Sequence, residues 1–486
     1  MKEQFVDLRA IARKAMEKYG FEPGFPRPVI REVEAVDEGS TGMPREGSRD
    51  LRHLLWSSID NYDSMDLDQL EFCVTLPGGD INVRVAIADV DICVPKRSQT
   101  DRHAEHNGNS VYTGVETFPM IPDRLSKNIT SLLPGRDHQA IVMEYNVQKD
   151  GSTLHGELYR ATVRNKAKLV YEEVGDWLEG TGPLPAAIRD VPGLEQQIHL
   201  QVEAMERLRK YRTGQGALVL NTIEAQPVMD DDLVRDLVLQ RQNTARCLIE
   251  EFMVAANGTM VDFLGNAGVP MIQRVVRVPK YWDEIVRVAG SYGETLPDSP
   301  DAKALSQFLI RRKEADPERF PDLSLTVVKL LGSGEYMALE PGREPFGHFA
   351  LAVTDYTHAT APNRRYVDLV NQRLLKAALD GRSAPYSFKE LENLAEWLSD
   401  REKRTKKVER FVRKAAAAVL LRKRIGEEFD ALVTGASEKG TYVRLLDPPA
   451  EGRVVWGERG LFVGKKIRVR LLSTDPYNGF IDFQGL

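Results

Sequence analysis

The stretch SSIDNYDSMDLDQLEFCVT, residues 57–75, limits what this chain can fold into more than any other. It carries Asp60, Asp63, Asp66 and Asp68 with no lysine or arginine among them. Beyond Asp68 the residues alternate, Leu70, Phe72 and Val74 against Glu71, Cys73 and Thr75, which predicts a strand with one buried face. If the chain is extended from Asp66 onward, Asp66 and Asp68 share the apolar face, because side chains i and i+2 point the same way. Two carboxylates leaving water together take up protons unless a cation or a hydrogen-bond network holds them ionised. Hard oxygen ligands at a sheet edge suit Mg²⁺ or Mn²⁺, which bind through a few carboxylates, waters and substrate phosphate oxygens. The alternative is an acidic loop in solvent at the entry to a strand.

At 486 residues the chain exceeds one ordinary core, so two or three domains are expected. Its formal charge of −6 means that a nucleic-acid site must be a local basic channel on an acidic surface. Cys73, Cys93 and Cys247 are widely spaced and match no disulfide framework or zinc spacing. They read as reduced core residues of a cytosolic protein. No window is apolar and long enough to span a bilayer. The first 20 residues have helical periodicity through Phe5, Leu8, Ile11 and Met16 but carry acids throughout, unlike a signal or transit peptide.

Further along, Pro77-Gly78-Gly79-Asp80 between two alternating runs predicts a β-hairpin ending at Ala88-Asp89-Val90, with Asp89 near the acidic loop. Residues 94–128 carry few periodic signals, and FPMIPDRLSKN within them reads as a buried irregular loop. Strands follow at 140–146 and 155–163, helices at 169–178 and 194–211, a strand in ALVLNTIEAQPV, and helices over 237–264 and 281–331. Pro362 suits the first turn of a helix with Val367, Val370 and Leu374 on its buried face. Arg364 and Arg365 then lie at its N-terminal end, where cations add to a positive field suited to phosphate. Pairing with Asp355 or Asp368 is the competing reading. The run DREKRTKKVERFVRK, residues 400–414, is a solvated helix face or the wall of an RNA channel. Five short strands separated by glycine and proline after residue 425 predict a small OB-type barrel, with Tyr442 and Phe462 either core or stacking residues.

Taken together, the segments resemble the RNase II family of RNB-domain exoribonucleases. The family's TID-x5-D-x-DD motif corresponds to SID at Asp60, then Asp66, Asp68 and Gln69. HVAIADVSHYV is mirrored by RVAIADVDICV from Arg84, and IPMLPxxLSxxxxSLxPG by FPMIPDRLSKNITSLLPG from Phe118. The closing GHFGLALxxYTHFTSPIRRYxDLxxHRLL is matched by Gly347 to Leu375. One such motif is weak; four in order are specific.

The resemblance implies an α+β chain with a helical lead-in at 1–48, a central RNB catalytic domain of mixed strands and helices at 49–425, and an S1-type OB barrel at 426–486. It implies Mg²⁺-dependent 3′-to-5′ hydrolysis of single-stranded RNA to nucleoside 5′-monophosphates by a monomer, with Mn²⁺ as a substitute ion. Asp60, Asp66 and Asp68 map onto the metal-binding aspartates and Arg364 onto the catalytic arginine. Tyr171 is similar to the tyrosine against the RNA 3′ end and Phe320 to its clamp partner. Arg365, Glu409 on the late helix and Tyr442 on the barrel complete the implied RNA contacts. Two departures stand out: the family's pair of N-terminal cold-shock domains has no room before Asp60, and its fourth aspartate is Gln69, a poorer metal ligand. Either metal binding is weaker, or another acid such as Asp63 compensates. An impaired, RNA-binding relative and a Mg²⁺-dependent phosphatase of small molecules are the competing functions.

Overall fold

The computed structural model describes residues 6–43, 46–221, 224–231, 233–437 and 440–486. Phe5 of the predicted first helix, and Thr222 and Ile223 of the predicted strand ALVLNTIEAQPV, lie outside them. The architecture is α+β, as predicted, with a mixed sheet, packed helices and a C-terminal barrel.

The first strands are β1 (Arg49–Asp50), β2 (Ser57–Asp60), β3 (Gln69–Thr75), β4 (Ile81–Ala88), β5 (Val111–Tyr112), β6 (Thr117–Phe118), β7 (Asp137–Val147), β8 (Thr153–Arg164) and β9 (Ala167–Val170). Seven of them form one sheet in the order β1-β8-β7-β4-β3-β2-β9. The predicted hairpin is β3–β4, in register from Gln69 opposite Ile87 to Thr75 opposite Ile81. Its turn needs glycine: Gly78 and Gly79 hold φ of 103° and 92°.

The hairpin is buried on both faces instead of one. Leu70 and Ala86 are buried on one side, and Glu71, Cys73, Val83 and Val85 on the other. The second face is covered by the helices Leu194–Gln215 and Thr244–Asn266: the Gln197 amide brackets the Cys73 backbone, and the Tyr145 hydroxyl donates to the Phe252 carbonyl. A central strand covered by helices buries both faces.

Three readings of local structure need correcting. The irregular segment after Val94 contains a helix, Gln99–Asn107, begun by the Ser98 hydroxyl accepting from the Asp101 amide. Residues 237–240 belong to a hairpin of Glu224–Asp230 and Leu233–Gln240, and the helix starts only at Thr244, capped by Asn243. The Pro362 helix begins at Tyr366, because residues 361–365 are held in a turn by longer-range bonds described below.

The lead-in helices Leu8–Lys18 and Arg27–Glu34 do not stand alone. The first packs on the 34-residue helix Phe388–Leu421, which begins with a Ser387/Glu390 capping box. The end of that helix buries Ala417, Ala418 and Leu421 in the barrel core with Phe429, Val443, Val469 and Phe483. All five barrel strands are present and close: Glu428–Ser437, Gly440–Leu445, Glu451–Trp456, Phe480–Gly485 and Lys466–Asp475, in that spatial order. The three cysteines are buried and form no disulfide with one another. Among the described residues no helix is long and apolar enough to cross a membrane.

Candidate active site

Asp60 ends β2, one step from the point where β9 passes through Val170 into the helix Tyr171–Leu178. The loop from Asn61 to Asp68 then returns to β3. Lys168 Nζ donates to the Tyr62 and Ser64 carbonyls at 2.8 and 2.5 Å. Ser131 Oγ donates to the Met65 carbonyl and accepts the Leu67 amide, while the Leu132 amide donates to the Leu67 carbonyl. The SLL of LSKNITSLLPG therefore braces the acidic loop. Strand geometry begins at Gln69, so Asp66 and Asp68 sit on the loop and not on a strand face.

The acids differ in what they meet. Asp60 Oδ1 accepts from the Asn61 amide and Ser64 Oγ, both at 2.7 Å. Burial raises its pKa against those bonds and the pull of Arg364, and Asp66 adds to the rise. Asp66 accepts from the Tyr112 hydroxyl at 2.7 Å. Asp68 is buried, with Oδ1 on the Asn363 amide at 2.9 Å and Oδ2, which has no hydrogen bond, 3.4 Å from Arg364 Nε. Burial pushes its carboxyl up to about 7 despite Arg364 and that amide. Asp63 is exposed.

The turn before the Tyr366 helix is locked from three sides. The Ala361 amide donates to Asp368 Oδ1, the Ser110 amide to the Arg364 carbonyl, and the Tyr366 amide to the Gly108 carbonyl. Gly108 is required there: its φ is 74° and a Cβ would lie 2.9 Å from Arg401 Cβ. The two readings of the arginine pair divide between the two residues. Arg365 pairs with Asp368 at 2.8 Å. The Arg364 side chain remains 44% exposed and faces the acids.

Tyr112 was not singled out by sequence, because a lone tyrosine in SVYTG carries no periodic signal. Its backbone amide donates to Glu409 Oε1 at 3.3 Å, so Glu409, from the far helix, holds the segment that presents Tyr112 to Asp66. Tyr171 is half-buried, with the Arg246 guanidinium 4.3 Å from its ring centroid. Phe320 is elsewhere. It is 2% exposed in a separate helical core with Trp282, Ile285, Phe308 and Leu323, so no face is open to a nucleobase. Tyr442 is 37% exposed on the barrel, with Lys414 Nζ 5.8 Å from its ring. The in-register hairpin puts Asp89 beside the acidic loop, the Ala88 amide donating to the Asp68 carbonyl, and the Asp89 carboxylate pairs with Lys376 at 2.7 Å.

Gln69 is buried at the start of β3, and two residues on lies Glu71, also buried and missed by the one-face reading. Neither Glu71 oxygen has a hydrogen-bond partner. Among the described residues no three histidine, cysteine or carboxylate groups converge into a closed metal cage. Mg²⁺ does not require one, since it keeps waters and takes one or two carboxylates with substrate phosphate. The unbonded Asp68 Oδ2 and the half-buried Asp60 and Asp66, all oxygen donors, fit such a partial site.

Comparison with known proteins accounts for this arrangement. The RNB domain model matches residues 48–381, and the RNase II-type exonuclease C-terminal S1 domain model matches residues 427–485. The chain belongs to the RNB-domain family of RNase II-type exonucleases. It is 29% identical to Ribonuclease R of Thermotoga maritima over 95% of its own length and 68% of that protein's. It is 28% identical to Ribonuclease R of Escherichia coli over 93% of its own length and 55% of that protein's. In fold it resembles Mycoplasma genitalium RNase R in complex with ribose-methylated single-stranded RNA, with TM-score 0.88, 22% identity, and coverage of 99% of this chain and 78% of that one. A yeast pseudonuclease also shares the fold, with TM-score 0.69, 16% identity, and coverage of 92% and 55%.

Proposed function

We propose that the protein is a hydrolytic 3′-to-5′ exoribonuclease that shortens single-stranded RNA and releases nucleoside 5′-monophosphates. The observation that carries this reading is the meeting of Asp60, Asp66, Asp68 and Arg364 at one end of the sheet within an RNB-domain chain. Asp60, Asp66 and Asp68 would hold Mg²⁺, with Mn²⁺ as a substitute; when bound, the cation supplies charge stabilisation and a nucleophilic water for in-line displacement. Arg364 offers a guanidinium fork to the scissile phosphate and to the charge that develops on it. Its present partner, Asp68, keeps the cation aimed into the site until a phosphate arrives. The Tyr112 hydroxyl fixes Asp66, and Glu409 fixes Tyr112.

Tyr171, covered on one ring face by Arg246, is a stacking platform beside Asp60 for the base at the 3′ end. Tyr442 and the basic helix face that includes Lys414 meet the RNA further upstream. Backbone and stacking contacts carry little base information, so sequence preference is low. Three buried cysteines outside any disulfide support a reducing compartment, and we expect the protein to act in the cytosol as a monomer.

A second reading, an RNA-binding relative without activity, draws on Gln69 and on the pseudonuclease that shares the fold. One assay separates the two. Purified protein is incubated with 5′-labelled single-stranded RNA and Mg²⁺. A ladder shortening from the 3′ end with mononucleotide release supports the enzyme; a gel shift with uncut RNA supports the binding protein.

A further inference from the structure

We infer that the N-terminal lead-in sets the aim of Arg364 through Asn107, which makes Asn107 a positioning residue for the cleavage step. This rests on reading Arg364 as the group that meets the scissile phosphate. The Arg364 side chain is 44% exposed, and its Nε lies 3.4 Å from Asp68 Oδ2. So loose a pair leaves the aim of the guanidinium to the backbone that carries it.

That backbone lies against residues 108–110. The Tyr366 amide donates to the Gly108 carbonyl at 2.8 Å, the Ser110 amide donates to the Arg364 carbonyl at 2.9 Å, and Asn109 and Arg365 form an antiparallel β-bridge between them. This short ladder hangs from the C-terminal end of the helix Gln99–Asn107, so whatever fixes Asn107 fixes the ladder.

The lead-in fixes Asn107. Asn107 is 2% exposed, its Oδ1 accepts from the Glu22 amide at 3.0 Å, and its Nδ2 donates to the Glu22 carbonyl at 3.0 Å. Nδ2 also donates to His103 Nε2 at 3.2 Å, which leaves His103 Nδ1 to donate to the Glu22 carboxylate at 2.9 Å. The roles in this set are determined, because the Glu22 amide can only donate and its carbonyl can only accept. Burial lowers the His103 pKa, in keeping with the neutral ring that the set requires.

Arg401 closes the clamp from the other side. It is 2% exposed, its Nη1 donates to the Gly20 carbonyl at 2.7 Å, and its guanidinium lies between the Phe21 and Trp397 rings, 5.0 and 4.2 Å from their centroids. Its Cβ is what a side chain at position 108 would meet. Residues 20–22 therefore touch both supports of the ladder. Apolar packing alone would keep the lead-in in place but leave it free to slide. A buried amide that both gives and takes a bond with the backbone of one residue fixes register, and it does so against the desolvation of that amide.

Single-turnover cleavage of 5′-labelled RNA by the full chain tests the inference, with filter binding and melting temperatures recorded alongside. Asn107→Ala should lower the cleavage rate by about tenfold or more while affinity stays within about threefold of wild type, because a small displacement of a reacting group acts on rate before it acts on binding. Glu22→Gln keeps the backbone bonds and an acceptor for His103, so it should cleave within about twofold of wild type. In an Arg364→Lys background, where the fork is already lost, Asn107→Ala should slow cleavage by less than about twofold further. Equal rates for wild type and Asn107→Ala would overturn the inference. So would rate and affinity falling together, or penalties that multiply in the double variant, since either makes the clamp a packing device independent of Arg364. If Asn107→Ala does not fold, Arg401→Lys takes its place. It keeps the charge but loses the planar stack and the directed bond to Gly20, and the same loss of rate without loss of affinity, absent in the Arg364→Lys background, is expected. Wild type that binds RNA without cutting it would overturn the nuclease reading and this inference with it, a result distinct from wild type and Asn107→Ala cutting alike.

Discussion

The acidic end of the sheet and the face of the barrel are both assigned to RNA, yet they are built in opposite ways. At the sheet, polar groups are withdrawn from water and held by bonds from distant segments: Asp68 by the Asn363 amide, Asp66 by Tyr112, and the loop between them by Ser131. At the barrel, aromatic rings are left at the surface, Tyr442 and Phe480 being 37% and 61% exposed over a closed apolar core. A site that performs chemistry fixes its groups before substrate arrives. A site that only holds RNA gains from accessible rings that any base can meet. Substitutions should therefore separate turnover from affinity.

The sharpest break is Asp68→Asn. Loss of the carboxylate should lower turnover by roughly three orders of magnitude or more while RNA affinity stays within about threefold, as read by single-turnover cleavage and filter binding. Affinity falling in step with turnover would erase the distinction between the two regions. Arg364→Lys keeps the charge but removes the fork, so turnover should drop by about 100-fold with a modest change in affinity. Unchanged turnover would make Arg364 a structural partner of Asp68.

The aromatic pair Phe320 and Tyr442 sharpens the comparison from the other side. Phe320→Ala should cost about 3 to 5 kcal/mol of stability, because it empties a buried ring position, while the folded fraction binds RNA as wild type does. Tyr442→Ala should weaken binding to long RNA by about fivefold or more, with an unchanged melting temperature and normal cutting of short oligonucleotides. If Phe320→Ala instead impaired RNA binding in the folded protein, its place in the helical core would be incomplete as an account.

The smallest effect expected is one of pH. Asp68 has its folded-state pKa raised to about 7, whereas an unfolded aspartate titrates near 3.9. Between these values the folded chain holds more protons than the unfolded one. Stability from this group is therefore full below pH about 4 and is lost as pH rises through about 7. In EDTA, Asp68→Asn should melt with wild type near pH 4 and a few degrees above it at pH 8. A gap that shrinks with rising pH would show that Asp68 is ionised in the metal-free fold.

Much of this molecule was legible in the residues themselves. Alternation around Pro77-Gly78-Gly79-Asp80 fixes a hairpin because a strand's side-chain period is local, and the five barrel strands announce themselves through their turns. The acids Asp60, Asp66 and Asp68 and the arginine Arg364 could be named from motif order. What could not be read is everything that depends on which surfaces meet. Alternation gives a strand two faces, but only the helices Leu194–Gln215 and Thr244–Asn266 decide that the Glu71 face is buried as well. Two adjacent arginines look alike in sequence, and the fold gives Arg365 to Asp368 and leaves Arg364 to the site. Phe320 and Tyr442 are both aromatic, and packing alone makes one core and the other surface. Tyr112 carried no local signal because its role is created by residues 46 positions before it and 297 after it. Local sequence sets dihedral preference and periodicity, whereas burial and electrostatic environment arise from contacts between segments far apart in the chain.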